Sequence, residues 1–525
     1  MKLKYGKNRS IKNALAFSMI FSLVAKIFSF GQSIVISYAF GVQRSTDVLF
    51  FSISFIVLLT SFVSCVNQQA VVPTAIKIRQ QRSDEDSKKF LSYVYLIYLI
   101  IGILGSSVLL IGPFKTIAFF SKFSVRDITD NMVLIYSITP MFFLTLLNTL
   151  MLDIITSYKH FSTPMILDIA KNSCIIAFVL IFKDVFSVQS LAIGIIIGNT
   201  FQFIILNTVV FKLLNFKLSF KRYWVDLLVK KNIMYVVMGQ FATFLNGITV
   251  NYLMSGFTAG LYSAMDYSQK LYTIFVTVVI GQISTVIGIE FIEMFAEKKF
   301  EKLKMMFEKY LVMALFLIIP VCCILSINSE SIIYILFKRG KFSYDAVLLT
   351  SEFFRIFILI IPLRLVDSLV SRLMIAKQIQ KNNFIWQLIS NILQISGIWI
   401  TVKVAGYVGY PLGTLLFYSL YVVLYAYINL KYQFKFIGTG VLKHVLYNVI
   451  LNIVIMGAAY WGLSAVHTPD NVFGHILRVI LTSAIYLMVY IGISRFLPFN
   501  RDMLKEVSEF VNGMTRKFKV RLNPR

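Results

Sequence analysis

Eight basic residues stand inside long apolar stretches of this chain: Lys26, Lys171, Lys270, Arg355, Arg364, Arg372, Arg478 and Arg495. A cation deep in a bilayer costs about 2.5–3.5 kcal/mol on insertion scales, so each needs a partner, a route to water or an anionic ligand. Four have an acid three or four residues away on one helical face: Asp168 for Lys171, Asp266 for Lys270, Glu352 for Arg355 and Asp367 for Arg364. For these a local ion pair is as good an explanation as a site. Arg478 and Arg495 lie near the ends of their stretches and are expected to snorkel, and Arg372 is close enough to an inner end to do the same. Lys26 has no acid within four positions and falls near the middle of its stretch. It requires a partner on another helix or an anionic ligand. Lys270 reaches similar depth in the second half of the chain. Two cations at comparable depth suit an anionic group between them, phosphate or pyrophosphate being the natural candidate, with lysine acting as a point charge. Arg364 is a weaker candidate for the same contact.

Other chemistry is poorly provided for. There is no Walker loop and no His-Glu-x-x-His, and the four histidines (His160, His444, His467, His475) are scattered. The four cysteines (Cys65, Cys174, Cys322, Cys323) lie in apolar runs without bridge-like or metal-like spacing. The expectation is a chain that is not an enzyme and binds no cofactor or metal. Energy for any transport would come from the membrane potential, a Na+ or H+ gradient, or the substrate gradient.

The elements that must position these residues are membrane spans. Of 525 residues 58% are hydrophobic and only 14% charged, and the mean hydropathy is +0.77. No soluble chain has that composition, so an all-α polytopic membrane protein is expected. Taking ~20 apolar residues to cross a ~30 Å core, about fourteen spans are expected: 14–40, 46–76, 90–112, 132–157, 164–182, 188–211, 233–254, 259–292, 310–327, 344–376, 383–402, 410–430, 445–465 and 475–496. The first follows a basic stretch but runs on through Phe40 without a small-residue cleavage site, so it reads as a retained helix. An even span count puts both termini on one side of the membrane. Segments on that side carry 34 Lys and Arg against 9 on the other, which places both termini in the cytoplasm by the positive-inside rule. Most of the net charge of +27 therefore sets orientation and attracts anionic lipid, and nucleic acid is not an expected partner.

An internal repeat organises the spans. Gln32-Ser33-Ile34-Val35-Ile36-Ser37-Tyr38 and Asn246-Gly247-Ile248-Thr249-Val250-Asn251-Tyr252 share a polar–apolar pattern 214 residues apart, each followed by a short outer loop, a long span and a basic inner loop. Two six-helix lobes follow, 1–222 (spans one to six) and 223–435 (spans seven to twelve), with spans thirteen and fourteen added at 436–500. Six is even, so the lobes are parallel repeats, an arrangement that holds substrate between halves and rocks one against the other. Pro140, Pro320 and Pro362 interrupt spans and are candidate kinks. The tail, 501–525, is basic with apolar Met503, Leu504, Val507, Phe510 and Val511, and reads either as an amphipathic helix on the inner leaflet or as a solvated topology anchor.

Several local sequences resemble the lipid II flippase family (MurJ/MviN type). They are Ala39 to Pro73, with Phe40-Gly41, Ser45-Thr46-Asp47, Phe50-Phe51 and Ala70-Val71-Val72-Pro73; Ser157-Tyr158-Lys159-His160-Phe161 before Pro164; Leu261 to Leu271; and Leu336 to Ser343. The resemblance implies membership of the multidrug/oligosaccharidyl-lipid/polysaccharide exporter superfamily, with two lobes around a cationic cavity. It further implies a groove for the lipid tail formed by spans thirteen and fourteen, and movement of an undecaprenyl-pyrophosphate-linked saccharide from inner to outer leaflet by alternating access. Lys26 and Lys270 fall where the family has cavity arginines, and Asp47 matches its acidic position at the start of span two. Gln32 stands where the family has a second span-one arginine, and Leu59 and Thr60 stand near its span-two arginine. Span seven offers Gln240, Asn246, Thr249 and Asn251 but no carboxylate, so a family-type sodium site does not carry over.

The leading expectation is thus a monomeric, multi-pass flippase of the bacterial cytoplasmic membrane carrying lipid II or a related cell-envelope precursor, with Lys26, Lys270, Asp47, Gln32 and Arg364 as substrate-binding residues. A cation-coupled drug exporter of the same superfamily would place unpaired acids in the cavity. A non-transporting cell-wall scaffold is the third alternative.

Overall fold

A computed structural model describes residues 11–504 except 159, 161, 214–215, 217–226, 378–379, 435, 437–438, 465–470, 498–499 and 502. Every regular element among the described residues is helical. Eleven helical runs are long and apolar enough to cross a bilayer, and one of them, Asn382–Phe434, holds two helices, Gln380–Ala405 and Gly409–Ile428, parted by a 3-10 turn. The helices Leu227–Met254 and Leu261–Phe275, the latter continuing to Ala296, lie on the seventh and eighth expected spans. Of the tail, only its first residues are described; Val507, Phe510 and Val511 lie outside the described residues.

Local chemistry sets the helix ends. The Gln43 N–H donates to Thr46 Oγ1 at 3.0 Å to start Arg44–Val66. Ser83 caps Asp84–Ile111 by accepting from the Asp86 N–H at 3.0 Å. Asn471 caps Val472–Phe496 by accepting from the Gly474 N–H at 2.7 Å. Each satisfies an N–H that the helix itself leaves without a carbonyl. Two of the three prolines interrupt their helices: Pro140 separates Met132–Ile138 from Met141–Ser157, and Pro362 follows a 3-10 turn at Ile358–Ile360. Pro320 stays inside the unbroken helix Phe300–Ile327.

Four π turns interrupt the α-helical runs among the described residues. One lies at Asn67–Val71 in span two and another at Val276–Gly281 in span eight. The others close spans six and twelve, at Val209–Leu213 and Asn429–Phe434. A π turn inserts one residue into the hydrogen-bond ladder and allows a helix to bend there.

By contact the chain divides into two compact units, Met1–Lys270 with Arg339–Ala346 and Ala405–Tyr410, and the remainder. Within the first unit, segments far apart in sequence are bound to one another. The Lys341 N–H donates to the Tyr38 carbonyl at 3.0 Å, the Lys122 N–H to Ser255 Oγ at 2.8 Å, and Arg44 Nη2 to the Phe257 carbonyl at 3.1 Å. Gly41 (φ 62°) sits where a side chain would run into the Lys341 carbonyl, a conformation and an approach that only glycine allows. In the second unit a ladder of amides and phenols ties the last two helices to each other and to the C-terminal end of Phe300–Ile327. Tyr490 donates to Asn448 Oδ1 at 2.9 Å, Tyr486 to Asn452 Oδ1 at 2.8 Å and Thr482 to Asn328 Oδ1 at 2.7 Å.

Candidate substrate site

Lys26 lies on the helix Ile11–Phe40 in line with Ser33 and Ser37, seven and eleven residues on, which are 4% and 0% exposed, and it is flanked by exposed Leu23 and Ile27. The lysine is itself only partly buried and has no ion pair or hydrogen bond among the described residues. Gln32 lies six residues further along the helix, also partly buried.

Lys270 and Asp47 belong to one assembly within the first unit. Lys270 Nζ is 2.6 Å from Asp266 Oδ2, the expected i,i+4 pair, and stands 4.4 Å from the Phe50 ring centroid. Its side chain keeps 39% exposure. Asp47, in contrast, is fully buried. Its Oδ2 accepts from the Gly260 N–H at 2.6 Å, and its Oδ1 accepts from the Ser263 N–H at 2.8 Å and the Ser263 hydroxyl at 2.6 Å. Gly260 and Ser263 begin the helix Leu261–Phe275. A carboxylate from one helix thus caps the N-terminus of another, where free N–H groups and the helix dipole favour negative charge. Gly260 (φ 87°) supplies the turn that presents these donors. Backbone donors and a glycine turn carry no sequence signal of a site, which is why this arrangement was not legible beforehand. Asn251 of span seven is likewise engaged, donating to Ser54 Oγ at 3.1 Å and accepting from the Tyr262 hydroxyl at 2.9 Å.

Arg364 lies in the second unit, on Ile361–Ala376. It and Asp367 meet through Tyr418: the phenol donates to Asp367 Oδ2 at 2.5 Å, and its ring lies 4.3 Å from the Arg364 guanidinium. Tyr421 and Tyr425 continue the stack along the same helix face. A cation held over an aromatic face gains about 0.5–2 kcal/mol. The other cations differ from expectation in part. Arg372 lies across Gly288 and donates through Nε to Ser284 Oγ at 3.0 Å. Arg355 donates to Ser329 Oγ and lies over the Tyr460 ring. Arg478 buries Nη1, whereas Arg495 is exposed as a snorkelling side chain should be.

The pair Lys171 and Asp168 is present, Nζ to Oδ1 at 3.2 Å, and it has companions that local spacing could not reveal. Gln202 Nε2 donates to the same Oδ1 at 3.2 Å, and Asn148 Nδ2 lies 3.4 Å from Gln202 Oε1. Among the described residues no group of three or more His, Cys, Asp or Glu side chains converges on a metal position.

Residues 36–481 match the family model described as lipid II flippase MurJ. Among curated proteins, the chain is 25% identical over 350 residues to a probable lipid II flippase MurJ of Buchnera aphidicola subsp. Schizaphis graminum, covering 63% of this chain and 66% of that one. It is 24% identical over 361 residues to the counterpart from the Acyrthosiphon pisum subspecies, covering 66% and 69%. The chain thus spans about two thirds of the length of the curated relatives it matches. In fold it is similar to a solved lipid II flippase MurJ in an inward closed conformation, with a TM-score of 0.76 and 20% identity over 93% of this chain and 100% of that one. It is also similar to an inward-facing multidrug resistance MATE family transporter of the MOP superfamily, with a TM-score of 0.65 and 12% identity over 80% and 98%.

Proposed function

The chain belongs to the lipid II flippase MurJ family, multi-pass membrane transporters rather than enzymes, and we propose that it carries a polyprenyl-pyrophosphate-linked saccharide from the inner to the outer leaflet by alternating access. The observation that carries the reading is Lys26, a partly buried lysine in the body of a membrane span with no partner among the described residues. An ammonium in such a span is stabilised by an anion, and the pyrophosphate of such a lipid supplies one. Lys270 is a second phosphate contact: its pairing with Asp266 is one-sided, and its side chain remains accessible. Gln32 offers a neutral hydrogen bond near the same anion, and Arg364 is a weaker candidate for a phosphate contact. Asp47 serves the substrate path indirectly, by holding the outer ends of its walls. Spans thirteen and fourteen, 436–500, receive the lipid tail, and the basic segments keep both termini in the cytoplasm. Membrane potential or a Na+ or H+ gradient drives the cycle, and the protein works as a monomer.

Lys26→Glu tests the reading in a strain depleted of its own lipid II flippase and dependent on this chain for growth. Replacing an attractive contact by a repulsive one is expected to abolish growth while membrane expression is retained, and Lys26→Arg is expected to preserve it. Normal growth on Lys26→Glu would remove the lysine from the site.

A further inference from the structure

Four acids of the spans have a cation to answer them. Asp47 lies 3.8 Å from Arg44, Asp168 3.2 Å from Lys171 and Asp266 2.6 Å from Lys270. Asp367 meets Arg364 through Tyr418. Asp153 stands on Met141–Ser157, inside the stretch Met132–Ser157 that is long and apolar enough to cross a bilayer. It enters no ion pair among the described residues. Arg79 reaches Ser157, one turn along, but is committed to the Ser157 carbonyl at 3.1 Å and to Asp84 at 3.3 Å. Lys88 is likewise taken by Asp84, at 2.9 Å.

What faces Asp153 is neutral. The Asn67 and Gln68 amides turn to its carboxylate from the π turn Asn67–Val71, which interrupts span two. Asp84–Ile111, Gln189–Thr208, Arg44–Val66, Val72–Gln81, Ser162–Phe186 and Val209–Leu213 also pack on the helix. Among the described residues of all these elements, the Tyr98 phenol is the one titratable or charged group that faces Asp153. The phenol donates to Asn67 Oδ1, so Asn67 presents its Nδ2 to the acid. That nitrogen and Asp153 Oδ2 are both shut off from solvent, and neither completes a hydrogen bond. Gln68 is exposed, and its amide can present either end.

A carboxylate at such a place needs a counter-charge. A metal cation is poorly served, because it needs several oxygen ligands and Asn67 offers an N–H group. A proton asks for one carboxylate oxygen. An amide serves either state, its N–H donating to the ionised group and its carbonyl accepting from the protonated one. The phenol holds Asn67 to the first role, and Gln68 can take the second. We infer that Asp153 takes up a proton, and that its carboxylate grips the π turn of span two through Asn67 and Gln68 only when the proton has left. A helix can bend at a π turn, so the proton sets how firmly that bend is held. Uptake here is also the step by which an H+ gradient enters the transport cycle, and that role rests on the flippase reading.

The purified full-length chain in nanodiscs, taken from mildly acidic to mildly alkaline pH, tests the inference. Infrared spectra should show a protonated-carboxyl component that fades as pH rises and that Asp153→Asn lacks. This variant keeps a neutral side chain at every pH, so hydrogen exchange of the amides at 67–71 gives a second readout. At acidic pH wild type and Asp153→Asn should exchange within about twofold of each other. At alkaline pH wild type should be about tenfold slower, the worth of a charge-assisted hydrogen bond. Asp153→Glu keeps the carboxyl and should keep the pH response. Equal exchange at every pH, a difference that does not vary with pH, or a titrating band unchanged by Asp153→Asn would overturn the inference. Flipping of a fluorescent polyprenyl-pyrophosphate lipid in proteoliposomes tests the role in transport. A pH gradient should speed wild type and not Asp153→Asn; indifference of wild type to the gradient would overturn that role. Wild type that flips nothing would instead refute the flippase reading, with the titration still deciding the proton site.

Discussion

The capping of the helix Leu261–Phe275 by Asp47 leads to a quantitative prediction. The carboxylate is fully buried and receives three donors at 2.6, 2.8 and 2.6 Å. Asp47→Ala leaves the Gly260 and Ser263 N–H groups without acceptors, each worth about 1–3 kcal/mol when buried. Water entering from the nearby loops recovers part of this, which leaves about 3 kcal/mol. Asp47→Asn keeps one acceptor oxygen but turns an amide N–H toward a donor, for about 2 kcal/mol. Ser263→Ala removes one hydroxyl donor, for about 1 kcal/mol. With an unfolding entropy of about 2.1 cal/mol/K per residue, a chain of 525 residues shifts its thermal midpoint by roughly 1 °C per kcal/mol. The series Ala, Asn and Ser263→Ala should therefore fall by roughly 3, 2 and 1 °C, followed in detergent with a thiol-reactive dye that reports exposure of the four free cysteines. The double variant Asp47→Ala with Ser263→Ala should fall by less than the sum of the two single shifts, because the hydroxyl has already lost its carboxylate acceptor and keeps only Thr46 Oγ1 at 2.9 Å. Additive shifts, or an Asp47→Ala midpoint equal to wild type, would refute the cap.

Two other perturbations follow from the same reasoning. Gly41→Ala forces a side chain onto a residue at φ 62° facing the Lys341 carbonyl and should cost about 1–3 kcal/mol, whereas Gly112→Ala, with open space around it, should be neutral in the same melting assay. Arg79 donates to the Ser157 carbonyl at 3.1 Å, pairs with Asp84 at 3.3 Å and lies 3.6 Å over the Tyr158 ring; Arg79→Lys keeps the charge but loses the planar fork, so hydrogen exchange of the amides around Arg79 and Tyr158 should accelerate by about tenfold.

Much of the fold was legible because bilayer physics writes it in hydropathy: the expected second span, 46–76, is found as Arg44–Val66 continuing through a π turn to Gln81. Local ion pairs were legible where spacing suffices, as for Asp266 with Lys270 and Asp168 with Lys171. Spacing failed for Arg364 and Asp367, since a phenol from another helix mediates between them, and for Arg372, whose path depends on the missing side chain of Gly288. The role of Asp47 was hidden for a related reason. Its partners are backbone N–H groups more than two hundred residues away, and backbone donors are common to every sequence.

The four π turns also say where this chain accommodates a change of length. Each holds one residue more than the α-helical ladder takes up and absorbs it within a single turn. Removing one residue from Asn67–Val71 or from Val276–Gly281 would restore a continuous α-helix there, whereas the same deletion in the unbroken helix Phe300–Ile327 would turn everything beyond it by about 100°.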